Sequence, residues 1–248
     1  MAGPMRLPYF PLHVVLFPHL PLPLHIFEER YRAMARDLVA DGSPYAGRFV
    51  VSMITEGAEV LERRPLSAAP TSGQRIGTIA EVRSAEELPD GRWGVLAVGV
   101  ARATLSAVEN GGSYATIEAS PLPEVEGAGA AALVPPVQAA LDDYLASVKR
   151  FVAAAASSGG TPTEPSEMTA SLDNVLKPIR LPDEPLAASY AVGGLLQVEL
   201  TRKQHLLELP DAASRLAAEL TLLHREAQLL ADGALPPIAP GDLRYNPN

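Results

Sequence analysis

The rhythm of apolar and polar positions changes near residue 124. Before it, short apolar runs alternate with turn residues. After it, alanine and leucine recur at helical spacing. The first part predicts strands over 7–17, 20–26, 48–54, 75–83, 93–100, 103–108 and 114–119. Pro8, Pro11, Pro18, Pro21 and Pro23 punctuate the first two of these. They suit edge or bulged strands, because proline has no N–H to give to a central ladder. Over 75–83, Ile76, Thr78, Ala80 and Val82 fall on one face, and Gly77, Ile79, Glu81 and Arg83 on the other. One helix interrupts the strands: Phe27, Tyr31, Met34 and Leu38 recur at i, i+4, i+7 and i+11 over 27–39, and Asp41-Gly42 ends it. Pro89-Asp90-Gly91 and Gly111-Gly112 read as turns. Short strands at this spacing predict a small barrel or sandwich.

The second part predicts helices. Val137, Leu141, Leu145, Val148 and Val152 form one apolar stripe. A Ser/Gly/Thr/Pro loop follows over 157–165, then a shorter helix carrying Met168, Leu172 and Val175 and closed by Pro178. Asp183 is a candidate N-cap with Pro185 close behind. Asp211 is another, followed by Leu216, Leu220, Leu223 and Leu230, with Gly233 past the end. The expected organisation is 1–124 for the strand-rich domain, 125–235 for the helices and 236–248 for an extended tail.

Composition narrows the chemistry. There is no cysteine, which excludes disulfides, zinc ribbons, iron–sulfur clusters and thiol nucleophiles in these 248 residues. Acidic side chains number 29 against 20 basic ones, a formal charge of −9, and only Lys149, Lys177 and Lys203 are lysines. That balance argues against a phosphate-tracking nucleic-acid binder, whose affinity rests on clustered cations. No polybasic run is present to hold an anionic membrane, and no apolar run approaches the roughly 20 residues of a membrane-spanning helix. A cytoplasmic location is expected.

The candidate chemistry is sparse. His13, His19 and His25 are six apart, so an unbroken strand would align them as metal ligands. Pro18, Pro21 and Pro23 interrupt that register, and no metal or other cofactor is expected. No serine sits in a Gly-x-Ser-x-Gly elbow, and the lysines lie in contexts typical of exposed helix faces. Gly159-Gly160 and Gly193-Gly194 lack the Lys and Ser/Thr of a phosphate loop. Glu28, Glu29, Arg30, Arg32 and Arg36 form a charged helix flank. Phe10, Phe17, Phe27, Tyr31 and Trp93 are expected in or at the rim of the core, whereas the Leu/Pro run over 20–24 is expected to leave apolar side chains exposed.

Several segments together resemble a known family. They are Leu7-Pro8-Tyr9-Phe10-Pro11-Leu12, Val15-Leu16-Phe17-Pro18, Leu22-Pro23-Leu24-His25-Ile26-Phe27-Glu28, and Arg30-Tyr31-Arg32 with Met34. This opening resembles the N-terminal domain of Lon proteases, and above all the standalone bacterial proteins of that type. Gly77-Thr78-Ile79-Ala80-Glu81-Val82, Asp90-Gly91-Arg92, the run 96–102 (Leu-Ala-Val-Gly-Val-Ala-Arg), Lys203-Gln204-His205-Leu206-Leu207-Glu208 and Arg215-Leu216 extend the resemblance over nearly the whole chain. Two departures stand out. His19 occupies a position where the family often has glycine, and Ala103-Thr104 replaces a frequent aromatic.

The resemblance implies an α+β fold: an N-terminal PUA-like β-barrel with one inserted helix, followed by a C-terminal α-helical bundle. It implies a non-enzymatic, ATP-independent module of protein quality control that binds unfolded or degron-bearing polypeptides, with a protease as a further partner, and neither nucleic acid nor membrane. No Gly-x-x-x-x-Gly-Lys-[Ser/Thr] loop occurs, and the length leaves no room for the ATPase and peptidase that follow in full-length Lon. The expected peptide contacts are Phe17, Pro18, His19, Leu20, Leu22, His25, Glu28 and Tyr31. Two rival expectations remain: RNA binding, because PUA-like barrels also bind RNA, and a small-molecule enzyme using a cleft between barrel and bundle.

Overall fold

A computed structural model describes residues 3–54, 76–158 and 179–232. Among them, six strands and five helices give a mixed α+β chain. In order they are β1 (Met5–Leu12), β2 (Pro21–Ile26), α1 (Glu29–Val39), β3 (Arg48–Met53), β4 (Ile76–Glu87), β5 (Trp93–Glu109), β6 (Thr116–Pro121), α2 (Ala130–Ser158), α3 (Pro185–Leu195), α4 (Leu200–Glu208) and α5 (Ala212–Ala231). The chain divides into two compact units, one running through Glu124 and including Leu200–Glu208, the other covering Val125–Glu199 and the segment from Leu209.

In the first unit the six strands form one sheet in the order β2-β5-β4-β3-β1-β6, and β5 also pairs with β6. The pairings therefore run from β1 through β3, β4, β5 and β6 back to β1. Only β1 and β3 are parallel, with Tyr9 opposite Val50. The length of β5 makes the double pairing possible: Trp93–Val98 lies along β2, and the stretch 103–109 lies along β6.

Alternate residues of the same strands feed two cores, because side chains of a strand point to opposite faces. Leu7, Val50, Ile79, Leu105 and Ile117 meet on one face. Phe10, Phe49, Val51, Ala80, Val95 and Ala97 meet on the other, beneath α1 residues Tyr31, Met34, Ala35 and Leu38. The first half of β4 is thus buried on both faces.

Other details also depart from the pattern read along the sequence. The two strands expected at 93–100 and 103–108 are one strand. Arg102 marks no break, because its guanidinium is buried and bonded: Nη1 donates to the Leu207 carbonyl at 2.9 Å, and Nη2 lies 3.3 Å from Glu124. That contact and the bond from Gln204 Nε2 to the Ile76 carbonyl (3.0 Å) tie α4 to the strand unit, although its sequence sits among helices. Strand β1 ends at Leu12, and 13–20 is a loop rather than a continuing strand. Helix α1 begins after Glu28, so Phe27 lies outside it and is 52% exposed rather than in the core. Within the Leu/Pro run, Leu22 and Leu24 go inward, whereas Pro21 and Pro23 stay exposed, in line with the expectation that some apolar side chains there remain uncovered.

In the second unit, α2 buries Val137, Ala140, Leu141 and Tyr144, while Leu145, Val148 and Val152 are only half-buried. The residue flanking α3 is Glu184, not Asp183, and it makes no side-chain cap; Pro185 takes the first helical turn as expected. Asp211 does cap α5, its Oδ1 accepting from the Ser214 N–H at 2.7 Å. The expected helix around Met168, Leu172 and Val175, most of the 157–165 loop and the tail from 236 lie outside the described residues. No helix among the described residues is long and apolar enough to cross a membrane.

Candidate functional site

The segment from 13 to 31 carries every residue singled out for peptide binding, and local chemistry fixes its path. Thr78 Oγ1 donates to the Leu16 carbonyl (2.5 Å). The His19 N–H donates to the Gly99 carbonyl (2.8 Å), and the Gly99 N–H to the Leu20 carbonyl (3.0 Å). The loop crosses β5 so closely that a Cβ on Gly99 would lie 2.5 Å from the Phe17 carbonyl oxygen. Glycine is therefore required at 99 by close backbone approach. His19 turns the chain with φ at 67°, the left-handed backbone that glycine favours.

Strand β2 then runs antiparallel to β5, with Pro21 opposite Val98, Leu22 opposite Ala97, Pro23 opposite Leu96, Leu24 opposite Val95 and His25 opposite Gly94. The bond from Gly99 N–H to the Leu20 carbonyl sets the phase. Residues 22, 24 and 26 turn their backbone groups toward β5, and residues 21, 23 and 25 turn theirs away. The prolines thus occupy positions where a missing N–H costs no ladder bond. They also leave the outer edge of β2 without N–H donors at 21 and 23, which blunts it against strand addition.

The singled-out residues fall into three groups by burial. Phe17, Pro18, Leu22 and Tyr31 are buried. Tyr31 packs on Phe10 at a 4.3 Å centroid distance, and burial pushes its hydroxyl up to about 12, with the Arg30 charge opposing. His19 and Glu28 are exposed, and Leu20 and His25 are half-buried. Glu28 pairs with Arg30 at 2.7 Å.

Residues that the sequence reading passed over complete the exposed side. Beside Pro21 and Pro23, both exposed, stand Val98, half-buried, and Leu96, 39% exposed. These four make an apolar strip on the solvent face of the β2–β5 ladder, and the exposed Phe27 follows directly after β2. The β2 part of the strip leaves a signal in the run 21–26, Pro-Leu-Pro-Leu-His-Ile, as a period of two with leucines on one face and prolines on the other. On the β4 side it is bordered by Glu81, Ser84 and Glu86, which lie opposite Val98, Leu96 and Gly94. Glu81 is held by Arg48 at 3.1 Å and Arg83 at 2.8 Å.

The three histidines do not converge into a ligand set: His13 and His19 lie in the loop and His25 on β2. Among the described residues no group of three or more His, Asp or Glu is placed to hold a metal ion. Two further perturbed groups lie outside this segment. On α4, Lys203 is half-buried, against the expectation of an exposed lysine, and desolvation pushes its amine down to about 8. On α5, burial raises the Glu219 carboxyl well above its ordinary range, with Arg215 pulling the other way. Buried Arg215 donates to Ser189 Oγ (2.8 Å) and lies 4.5 Å from the Tyr190 ring centroid.

The sequence profile of the ATP-dependent protease La (LON) substrate-binding domain matches residues 6–225. Lon protease 2 of Syntrophobacter fumaroxidans is 23% identical over 228 residues, and Lon protease of Escherichia coli K12 is 24% identical over 230 residues. These alignments take in 92% and 91% of this chain but only 25% of each relative, so the chain spans about a quarter of the length of the curated relatives it matches. Among solved structures, the N-terminal domain of the Mycobacterium avium complex Lon protease superposes with a TM-score of 0.57 at 19% identity, covering 88% of this chain and 98% of that one. A Lon N-terminal domain protein from Xanthomonas campestris gives 0.52 at 19% identity, with the same coverage. Fold and sequence profile agree over most of the chain, which belongs to the Lon substrate-binding domain family.

Proposed function

We propose that the chain is a non-enzymatic module that recognises unfolded or degron-bearing polypeptide, and that it does so on the solvent face of β2 and β5. The observation that carries this reading is the match of the substrate-binding profile to residues 6–225. The surface chemistry supports the place: Pro21, Pro23, Leu96 and Val98 form an apolar strip that a folded partner would not require but an extended apolar segment would bury. Binding is by side-chain burial rather than strand addition, because β2 offers no N–H at 21 and 23. Leu22 packs in the core on the opposite face of the same ladder, and Phe17, Pro18, His19, Leu20, His25, Glu28 and Tyr31 belong to the segments that lead into, form and leave β2. The cycle of pairings among β1, β3, β4, β5 and β6 is read as a PUA-like barrel. A cytoplasmic role in protein quality control, beside a protease that cuts what this module binds, fits the same reading. RNA is disfavoured by the charge of −9 and by the carboxylates Glu81 and Glu86 along the strip.

Fluorescence anisotropy of labelled, reduced and carboxymethylated lactalbumin, a permanently unfolded chain, tests the proposal. Saturable binding in the micromolar range is expected. Leu96→Asp should weaken it severalfold while leaving the circular dichroism spectrum and melting temperature unchanged. Absence of saturable binding, or a Leu96→Asp variant that binds as well as the parent, contradicts it.

A further inference from the structure

The apolar strip does not end evenly. Successive rows across β2, β5 and β4 on the solvent face read Pro21–Val98–Glu81, Pro23–Leu96–Ser84 and His25–Gly94–Glu86. The third row has no side chain at its centre. A Cβ built on Gly94 meets nothing within 4 Å, so the space above it is open. With strands about 4.8 Å apart, His25 and Glu86 stand roughly 10 Å from one another across this glycine floor. Leu96 forms the side of the notch facing the strip.

The charge in the notch is unbalanced. Glu86 is exposed and takes part in none of the ion pairs among the described residues, whereas Glu81, two rows away, is bracketed by Arg48 and Arg83. A ligand side chain entering above Gly94 thus meets an apolar wall first and a carboxylate at the end. A lysine or arginine has that shape, an apolar stem with a charged head. The spacing agrees: alternate residues of an extended peptide are about 6.8 Å apart, as are the Leu96 and Gly94 rows.

We propose that the Gly94 notch is a specificity pocket for a basic side chain of the bound polypeptide, two residues from an apolar side chain seated on Pro23 and Leu96. The substrate class is an extended segment of the pattern apolar–x–Lys/Arg, in either chain direction. This rests on the polypeptide-binding reading above and narrows it. The excess of acidic residues in the chain favours such segments at longer range as well.

The test uses the full chain and three fluorescein-labelled twelve-residue peptides, identical except for Arg, Gln or Glu two positions from a leucine. The Arg peptide is expected to bind about three- to fivefold more tightly than the Gln peptide, the range of a partly exposed ion pair, with the Glu peptide weakest. The difference should shrink with added sodium chloride. Glu86→Gln should abolish the preference while retaining binding of the Gln peptide. Gly94→Val, which suits a strand and fills the open notch, should weaken the Arg peptide most and leave the melting temperature unchanged. Equal affinity for the three peptides, or an Arg preference that survives Glu86→Gln, overturns the pocket but leaves general polypeptide binding standing. Failure of all three peptides and of unfolded lactalbumin to bind overturns both. Sedimentation velocity covers another occupant: a dimer of the free chain that Gly94→Val dissociates assigns the strip to a second copy and overturns the proposal.

Discussion

Glu219 is a carboxyl with no hydrogen-bond partner on either oxygen among the described residues, buried within the second unit one helical turn from Arg215. Burial favours its neutral form, so the folded chain keeps a proton that the unfolded chain releases. Stability attributable to this group is therefore full below the ordinary glutamate range near pH 4.3 and declines as pH rises toward the raised folded value. Glu219→Gln, which keeps the shape without the charge, should raise the melting temperature at pH 8 and converge with the parent near pH 4. An unchanged difference across that range would show that Glu219 does not titrate differently on folding. Sequence gave no warning of Glu219, Arg215 or Arg102 as interior residues. Each reads as a polar face, and what makes it interior is a partner or a covering element distant along the chain, such as the Leu207 carbonyl for Arg102. His19 is the opposite case. Its oddity was visible beside a family that often has glycine, and the left-handed backbone supplies the physical reason.

At the scale of elements, period and punctuation were legible where the contacts are local. Helix α1, the Asp211 cap of α5 and the turn at Pro89-Asp90-Gly91 follow from short-range rules, and each is present. Asp211→Ala should cost about 1 kcal/mol in urea unfolding, the typical loss of an N-cap; no loss would mean that α5 is held by packing alone. The departures have a common cause in pairing that sequence does not display. The loop 13–20 stopped being a strand because Thr78, on β4, binds the Leu16 carbonyl, and because Gly99 lets the chain cross β5. Gly99→Ala should force that crossing apart and destabilise by roughly 1–3 kcal/mol, as overpacking does. A urea midpoint equal to the parent's would show that the loop moves freely. The exposed strip was half-legible: the alternation in β2 is in the sequence, but its phase comes from the Gly99–Leu20 bond, and without it the leucines and the prolines could not be told apart as the outward set.

Across the whole molecule, the first of the two compact units runs through Glu124, and α4 belongs to it as well. The amphipathic pattern of α4 resembles that of any bundle helix; Gln204 on the Ile76 carbonyl and Arg102 on the Leu207 carbonyl tie it to the strands. The formal charge of −9 spoke to partners before any fold was known, and the solvent face of β2 and β5 makes that statement local, with apolar side chains along the strip and carboxylates on its border. The central claim is that this face meets unfolded polypeptide, and position-specific photocrosslinking tests it most directly. A benzoylphenylalanine at position 96 and another at position 229, an exposed leucine on α5, are each irradiated with reduced and carboxymethylated lactalbumin. Abundant adducts from position 96 with few from position 229 are predicted; equal adducts from both, or adducts from 229 alone, would contradict the account.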